Sequence, residues 1–258
     1  MHGWGMSAEV FRSQQESLSA SFRVIVPDLR GHGDSGTVAP GQGIETLSED
    51  LVALLQHLEL DSVVLVGWSM GAMVGWGIIR QARERVAAMV VVDMVPRILS
   101  DESWPFGIKQ GKDASVFQRA IAQMSDNWPD YTRIFVPRIF AANGSDQHDL
   151  IDSICRIASR NHAESMAILW RSMAEQDFRS MVRELDLPVL VIYGRHSQLY
   201  RPAAARWLAD ALPRATLVEF SQSGHAPSVE EPEYFNQVLS DFVRGLTPGD
   251  APNPATLH

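Results

Sequence analysis

The run Gly67-Trp68-Ser69-Met70-Gly71 sets a serine between two glycines as G-x-S-x-G. A serine hydroxyl is a weak nucleophile until a base takes its proton, so this motif calls for a histidine from elsewhere in the chain. Of the eight histidines, His225 in Ser223-Gly224-His225-Ala226-Pro227 is the best placed. It follows the serine in chain order and stands after the last strand-like segment, on its carboxyl side, where open α/β sheets hold their ligands. His2, His32 and His196 sit in loops, His57 on a helix face, and His258 in the tail. Acyl transfer also needs two fixed N–H donors for the developing oxyanion. The residue after the serine, Met70, offers one, and the amide of Trp4 in His2-Gly3-Trp4-Gly5 offers the other.

These residues are useful only if the backbone presents them. Ser62–Gly67 (SVVLVG) reads as a buried strand and Met70–Arg83 as a helix, which is the strand–turn–helix context of a nucleophile elbow. Helix-period and strand-like segments alternate along the rest of the chain. Helices are expected over 8–19, over 46–60 with a Thr46/Glu49 capping box, over 202–212 and over 231–245. Strands are expected over Phe22–Pro27, Val86–Asp93, Leu187–Gly194 and Ala215–Phe220. Alternation of this kind builds an α/β fold, a mostly parallel sheet with helices on both faces. One stretch breaks it: residues 97–183 hold helix-like pieces and many aromatics but no convincing strand. We read 1–96 and 184–246 as the core, 97–183 as a helical cap inserted between two strands, and the Pro/Gly-rich 247–258 as a disordered tail.

Composition narrows the function classes. With 258 residues, 45% of them hydrophobic and 21% charged, the chain is an ordinary globular one that can bury a sizeable core. A net charge of −9 without a basic run argues against nucleic acid. One cysteine, Cys155, permits no internal disulfide and no cysteine-rich metal site. No apolar run reaches the roughly 18 residues of a membrane span, and the first residues lack the pattern of a secretory signal. The expectation is a cytoplasmic protein that uses neither metal nor cofactor and leaves nucleic acid and membrane alone.

Taken together, HGWG, DLRGHGDSG (28–36), GWSMG, YGRHSQLYRP (193–202) and SGHAP resemble the α/β-hydrolase fold superfamily over essentially the whole chain. Within it, the HGWG and GWSMG pair is similar to small carboxylesterases, the group that includes pimeloyl-ACP methyl ester esterase, and to cofactor-free perhydrolases. The resemblance implies Ser69 as nucleophile, His225 as general base, and the amides of Trp4 and Met70 as oxyanion donors. It also implies that the acyl group lies under the cap, so Trp104, Trp128 and Phe135 of the cap, with Trp68 of the elbow, are candidate substrate contacts. The plain alternative is that the cap aromatics form a small core of their own.

Two departures from the family pattern stand out. The acid of the family usually follows the strand before the histidine's own, and that place is Ser197 here. Some members carry it instead after the strand that follows the elbow, where this chain has Asp93, and Asp93 is our candidate. Asp186 precedes its strand and lies at the wrong end. The second departure is at the front, where strands expected before and at HGWG are missing, one of them central between FRVIVP and SVVLVG. The expectation is that about 20 residues precede Met1 in the natural protein.

The chemistry implied is ester hydrolysis of small to medium acyl chains through an acyl-enzyme. Perhydrolysis, lactone hydrolysis and carbon–carbon bond hydrolysis use the same residues, and a ligand-binding protein on a decayed hydrolase fold is the alternative from another class. Half of the 22 basic residues fall in 97–183. Arg133, Arg138, Arg156 and Arg160 are thus candidates to meet an acidic carrier protein bearing the acyl group, though such arginines are more often solvated helix faces.

Overall fold

The computed structural model describes residues 1–109, 114–142 and 147–247. Four strands, β1 (Val63–Trp68), β2 (Val86–Val92), β3 (Val189–Gly194) and β4 (Ala215–Phe220), form one sheet in that order. Every neighbouring pair is parallel, with Gly67 opposite Val91, Val91 opposite Val191 and Val191 opposite Leu217. Helices α1 (Arg12–Leu18), α2 (Ile44–His57) and α3 (Met70–Ala82) precede β2. Between β2 and β3 come α4 (Ala114–Asp126), α5 (Trp128–Phe135), α6 (His148–Ser159), α7 (Ala163–Glu175) and α8 (Arg179–Arg183). Then α9 (Pro202–Ala211) joins β3 to β4, and α10 (Pro227–Glu230) and α11 (Pro232–Arg244) close the fold. Among the described residues no helix is long and apolar enough to cross a membrane.

β2 shows why its sequence does not alternate. Met89 and Val91 pack into one apolar cluster with Met73, Trp76 and Leu208, while Val90 and Val92 pack into a second with Met6, Trp68 and Phe235. Both faces are covered, as a parallel strand between helical layers requires. Each such fully buried aliphatic side chain contributes about 1.5–3 kcal/mol.

Three sequence expectations change. FRVIVP forms no strand and joins no ladder, and an apolar groove of about 390 Å³, walled by Val24, Val26, Val64 and Val66, separates it from β1. For the same reason β1 is only half buried at Val63, Val64 and Val66, not buried throughout. Its open edge is touched at one end, where the Met1 nitrogen donates to Val66 O at 2.8 Å and Trp68 N–H to Met1 O at 3.1 Å. Finally, α2 begins at Ile44, before the expected Thr46 cap, and its Ile44 N–H is satisfied by Ser172 Oγ of α7 at 2.9 Å. The tail from 248 lies outside the described residues.

Candidate active site

The elbow is built by steric exclusion. Ser69, between the end of β1 and the start of α3, has φ 53° and ψ −122°, a conformation that L side chains rarely adopt. Holding a non-glycine residue there stores about 1–3 kcal/mol. The surroundings enforce it: Ser69 N–H donates to Val92 O at 3.0 Å, and Ala72 N–H to Ser69 O at 2.8 Å. A Cβ on Gly67 would lie 2.5 Å from Ala72 Cα, and one on Gly71 2.4 Å from Met1 O. Only glycine fits at either flank.

His225 stands in the loop after β4 and is 3% exposed. Its N–H donates to Ile139 O at 2.6 Å, and its carbonyl accepts the Trp68 indole N–H at 2.7 Å. The Trp68 and Tyr200 rings flank the imidazole at 5.7 and 5.8 Å. Nδ1 lies 2.7 Å from Oδ2 of Asp93. In a neutral ring, giving the Nδ1 proton to that carboxylate leaves Nε2 as the acceptor. Ser69 and His225 line one cavity.

Asp93 follows β2 with φ 43°, its N–H bonded to Ile192 O at 2.7 Å. The structure thus brings the strand-end aspartate to the histidine. Ser197 does not bond to the imidazole: its Oγ donates to Asp93 Oδ2 at 2.6 Å. Tyr200, buried beside this carboxylate, has its phenol pKa pushed well up by burial and then by the Asp93 charge.

The His2–Gly5 loop crosses directly in front of the elbow, with a Cβ on Gly3 falling 3.2 Å from Ser69 Cβ. Gly3 and Trp4 line the cavity beside Ser69. Met70 is the first residue of α3, so its N–H has no intrahelical acceptor. Two buried histidines fix this loop. His2 Nε2 accepts Leu29 N–H at 3.0 Å, His32 Nε2 accepts Gly5 N–H at 3.1 Å, and the rings meet edge-on at 4.8 Å. Burial holds both imidazoles neutral, His32 down to about 4 and His2 well below its usual range.

The cavity measures about 390 Å³ between the strand ends and the helical insertion. Its insertion wall is Tyr131, Phe135, Ile139 and Trp170, with Arg119, Gln123 and Arg138 as polar members, and Gln198 from the turn after β3 adds a fourth polar group. Of the aromatic candidates, Trp68 and Phe135 line it. Trp104 and Trp128 do not, contrary to expectation. Trp104 packs edge-on against Trp207 at 4.6 Å and donates its indole N–H to Arg97 O, within the main apolar core and outside the cavity lining. Trp128 is tied by its indole N–H to Ala158 O and packs edge-on against Trp4 at 5.2 Å, so it supports the wall without forming it.

Sequence reasoning missed Glu230. Its carboxylate accepts N–H groups from Gly224 (2.8 Å) and Ala226 (3.3 Å) on either side of His225, and from Ala141 (2.8 Å) of the insertion. Burial raises its pKa. An acidic residue five places after the histidine was the available signal. Of the four arginines proposed for a carrier, Arg138 lines the cavity, whereas Arg160 faces Asp34 and Glu9 outside it. Among the described residues no group of three or more His, Cys, Asp or Glu is placed to hold a metal ion.

Comparison with known proteins agrees with this architecture. The model of the Alpha/beta hydrolase family matches residues 1–238. The pimeloyl-[acyl-carrier protein] methyl ester esterase of Aromatoleum aromaticum is 31% identical over 254 residues, covering 95% of this chain and 97% of that protein. A thermophilic esterase from Thermogutta terrifontis, solved with malate bound, superposes with a TM-score of 0.85 at 28% identity, covering 95% of this chain and 88% of that one. An esterase from Exiguobacterium antarcticum shares the fold with a TM-score of 0.87 at 21% identity, covering 95% and 90%.

Proposed function

The chain belongs to the alpha/beta hydrolase family, and from that premise we propose that it is a serine esterase with Ser69 as nucleophile, His225 as base and Asp93 as acid. The observation that carries the reading is the 2.7 Å contact between His225 Nδ1 and Asp93, with the imidazole and Ser69 on one cavity.

In this reading the steps are those of acyl transfer. His225 Nε2 takes the Ser69 proton as Oγ attacks the ester carbonyl, and Asp93 stabilises the imidazolium that forms. The amides of Trp4 and Met70 receive the oxyanion. The imidazolium then protonates the departing alkoxide, which leaves as the alcohol. Water, deprotonated by the same nitrogen, attacks the acyl-enzyme, and the acid is released as Ser69 regains its proton.

The acyl chain lies between Trp4, Phe135, Tyr131 and Trp170, so the substrate is an ester with an apolar acyl part. The relatives named for a carrier-linked methyl ester favour an acyl group presented by an acidic carrier protein, with Arg138 at the cavity and Arg133 and Arg156 on the same insertion. The core is 1–96 and 184–246, and 97–183 is the cap.

Hydrolysis of a p-nitrophenyl ester series by the wild type, Ser69→Ala and Asp93→Asn tests this. Ser69→Ala should lose about six orders of magnitude in kcat and Asp93→Asn about four. A folded wild type without Ser69-dependent turnover would sink the esterase reading and favour the ligand-binding alternative.

A further inference from the structure

The acid side of the site holds a hydroxyl that these steps do not use. Ser197 is 3% exposed, and its Oγ lies 2.6 Å from Asp93 Oδ2. The same Oγ accepts the N–H of Tyr200 at 3.2 Å. With a lone pair taken there, its proton is directed at the carboxylate. Asp93 Oδ2 therefore receives two donors at once, Ser197 O–H and His225 Nδ1–H.

The sheet dictates this meeting. β2 and β3 are parallel neighbours with Val92 opposite Ile192, so the turns that leave them stand side by side. The turn after β3 is closed by Ser197 N–H to Gly194 O at 3.1 Å, and Lys109 Nζ donates to the Ser197 carbonyl. Ser197 is thus anchored through its backbone, while an aspartate carboxylate is free to turn about its last bond. Only an oxygen held towards Nδ1 keeps the histidine in the tautomer that leaves Nε2 available.

We propose that Ser197 is a positioning residue that pins Asp93 Oδ2 on His225. The proposal rests on the Ser69–His225–Asp93 reading.

Removing the Ser197 hydroxyl has two effects. The carboxylate is less well held, and it becomes a stronger acceptor for the imidazolium, which raises the pKa of the base. The full chain is assayed with p-nitrophenyl esters across pH as wild type, Ser197→Ala, Ser197→Thr and Asp93→Ser. Ser197→Ala should lower kcat about tenfold or more with KM within about twofold, and move the acid limb of kcat/KM to higher pH. Ser197→Thr, which keeps the hydroxyl, should restore both. Asp93→Ser should lose about 10³- to 10⁴-fold.

Wild-type kcat and an unmoved pH profile in Ser197→Ala would overturn the positioning role. Full activity in Asp93→Ser would instead bring down the acid assignment itself and the proposal with it. Should Ser197→Ala fail to fold, Ser197→Cys, which keeps the side chain's size but donates only weakly, is read against the same two outcomes.

Discussion

Gly224 is where the histidine loop and the helical insertion meet main chain to main chain, and Gly224→Ala tests whether the insertion holds the base in place. A Cβ on Gly224 would lie 2.5 Å from Ala141 N and Phe140 C and 2.8 Å from Ile139 O. All three neighbours are backbone, so no side chain can swing aside, and the contact falls about 0.9 Å short of ordinary van der Waals distance. Forcing an extra methyl into packed surroundings costs about 1–3 kcal/mol. If residues 139–141 retreat instead, they stretch the 2.6 Å bond from His225 N–H to Ile139 O and the 2.8 Å bond from Ala141 N–H to Glu230. Each is worth about 1 kcal/mol. Part of the strain is relieved by the retreat, which puts the loss at about 2–4 kcal/mol. A base displaced by about 1 Å also lowers turnover on the order of a hundredfold. Urea unfolding and p-nitrophenyl ester hydrolysis on the same preparation measure both quantities. A variant within about 0.5 kcal/mol of wild type and with unchanged kcat would show that the insertion does not hold the histidine loop.

The buried His32 predicts an acid limit on stability. Its folded pKa of about 4 lies below the unfolded 6.5, so its contribution is complete above pH 6.5 and is lost as pH falls towards 4. At pH 5 this amounts to about 2 kcal/mol. His32→Gln, which keeps an acceptor but does not titrate there, should flatten the fall in urea midpoint between pH 7 and 5; an equal slope in both proteins would rule the linkage out. Trp104 and Phe135 should separate stability from selectivity. Trp104→Ala is expected to lose about 3–5 kcal/mol while the order of kcat/KM along an acyl series stays the same. Phe135→Ala removes a cavity wall and should shift the preferred acyl length upward in that series.

Much of the architecture was legible because local rules and tertiary needs coincide. The unalternating apolar run of β2 has both faces covered, and the glycines at 67 and 71 stand where no Cβ fits. What the sequence did not disclose depended on neighbours distant in the chain. FRVIVP has strand composition, yet a strand exists only beside a partner, and a groove lies in that place. Ser197 looked like a vacancy because its carboxylate stands 104 residues away, after another strand. Trp104 and Trp128 were indistinguishable from wall residues by type. Their placement follows from carbonyls of Arg97 and Ala158 that accept their indole N–H groups.

Two residues of the site, Ser69 and Asp93, hold positive φ angles of 53° and 43° directly after adjacent strands. Glycine would relax both, by about 1–3 kcal/mol at each position. At Asp93 the gain is offset by the buried Ser197 and His225 donors that a glycine would leave unpaired, so heat tolerance and turnover pull against each other most directly at Ser69. A directed-evolution screen that scored residual fold after heating alone would reward Ser69→Gly and empty the site of its chemistry. Thermostable variants of this enzyme are better sought on its outer helices, with every round gated by ester cleavage.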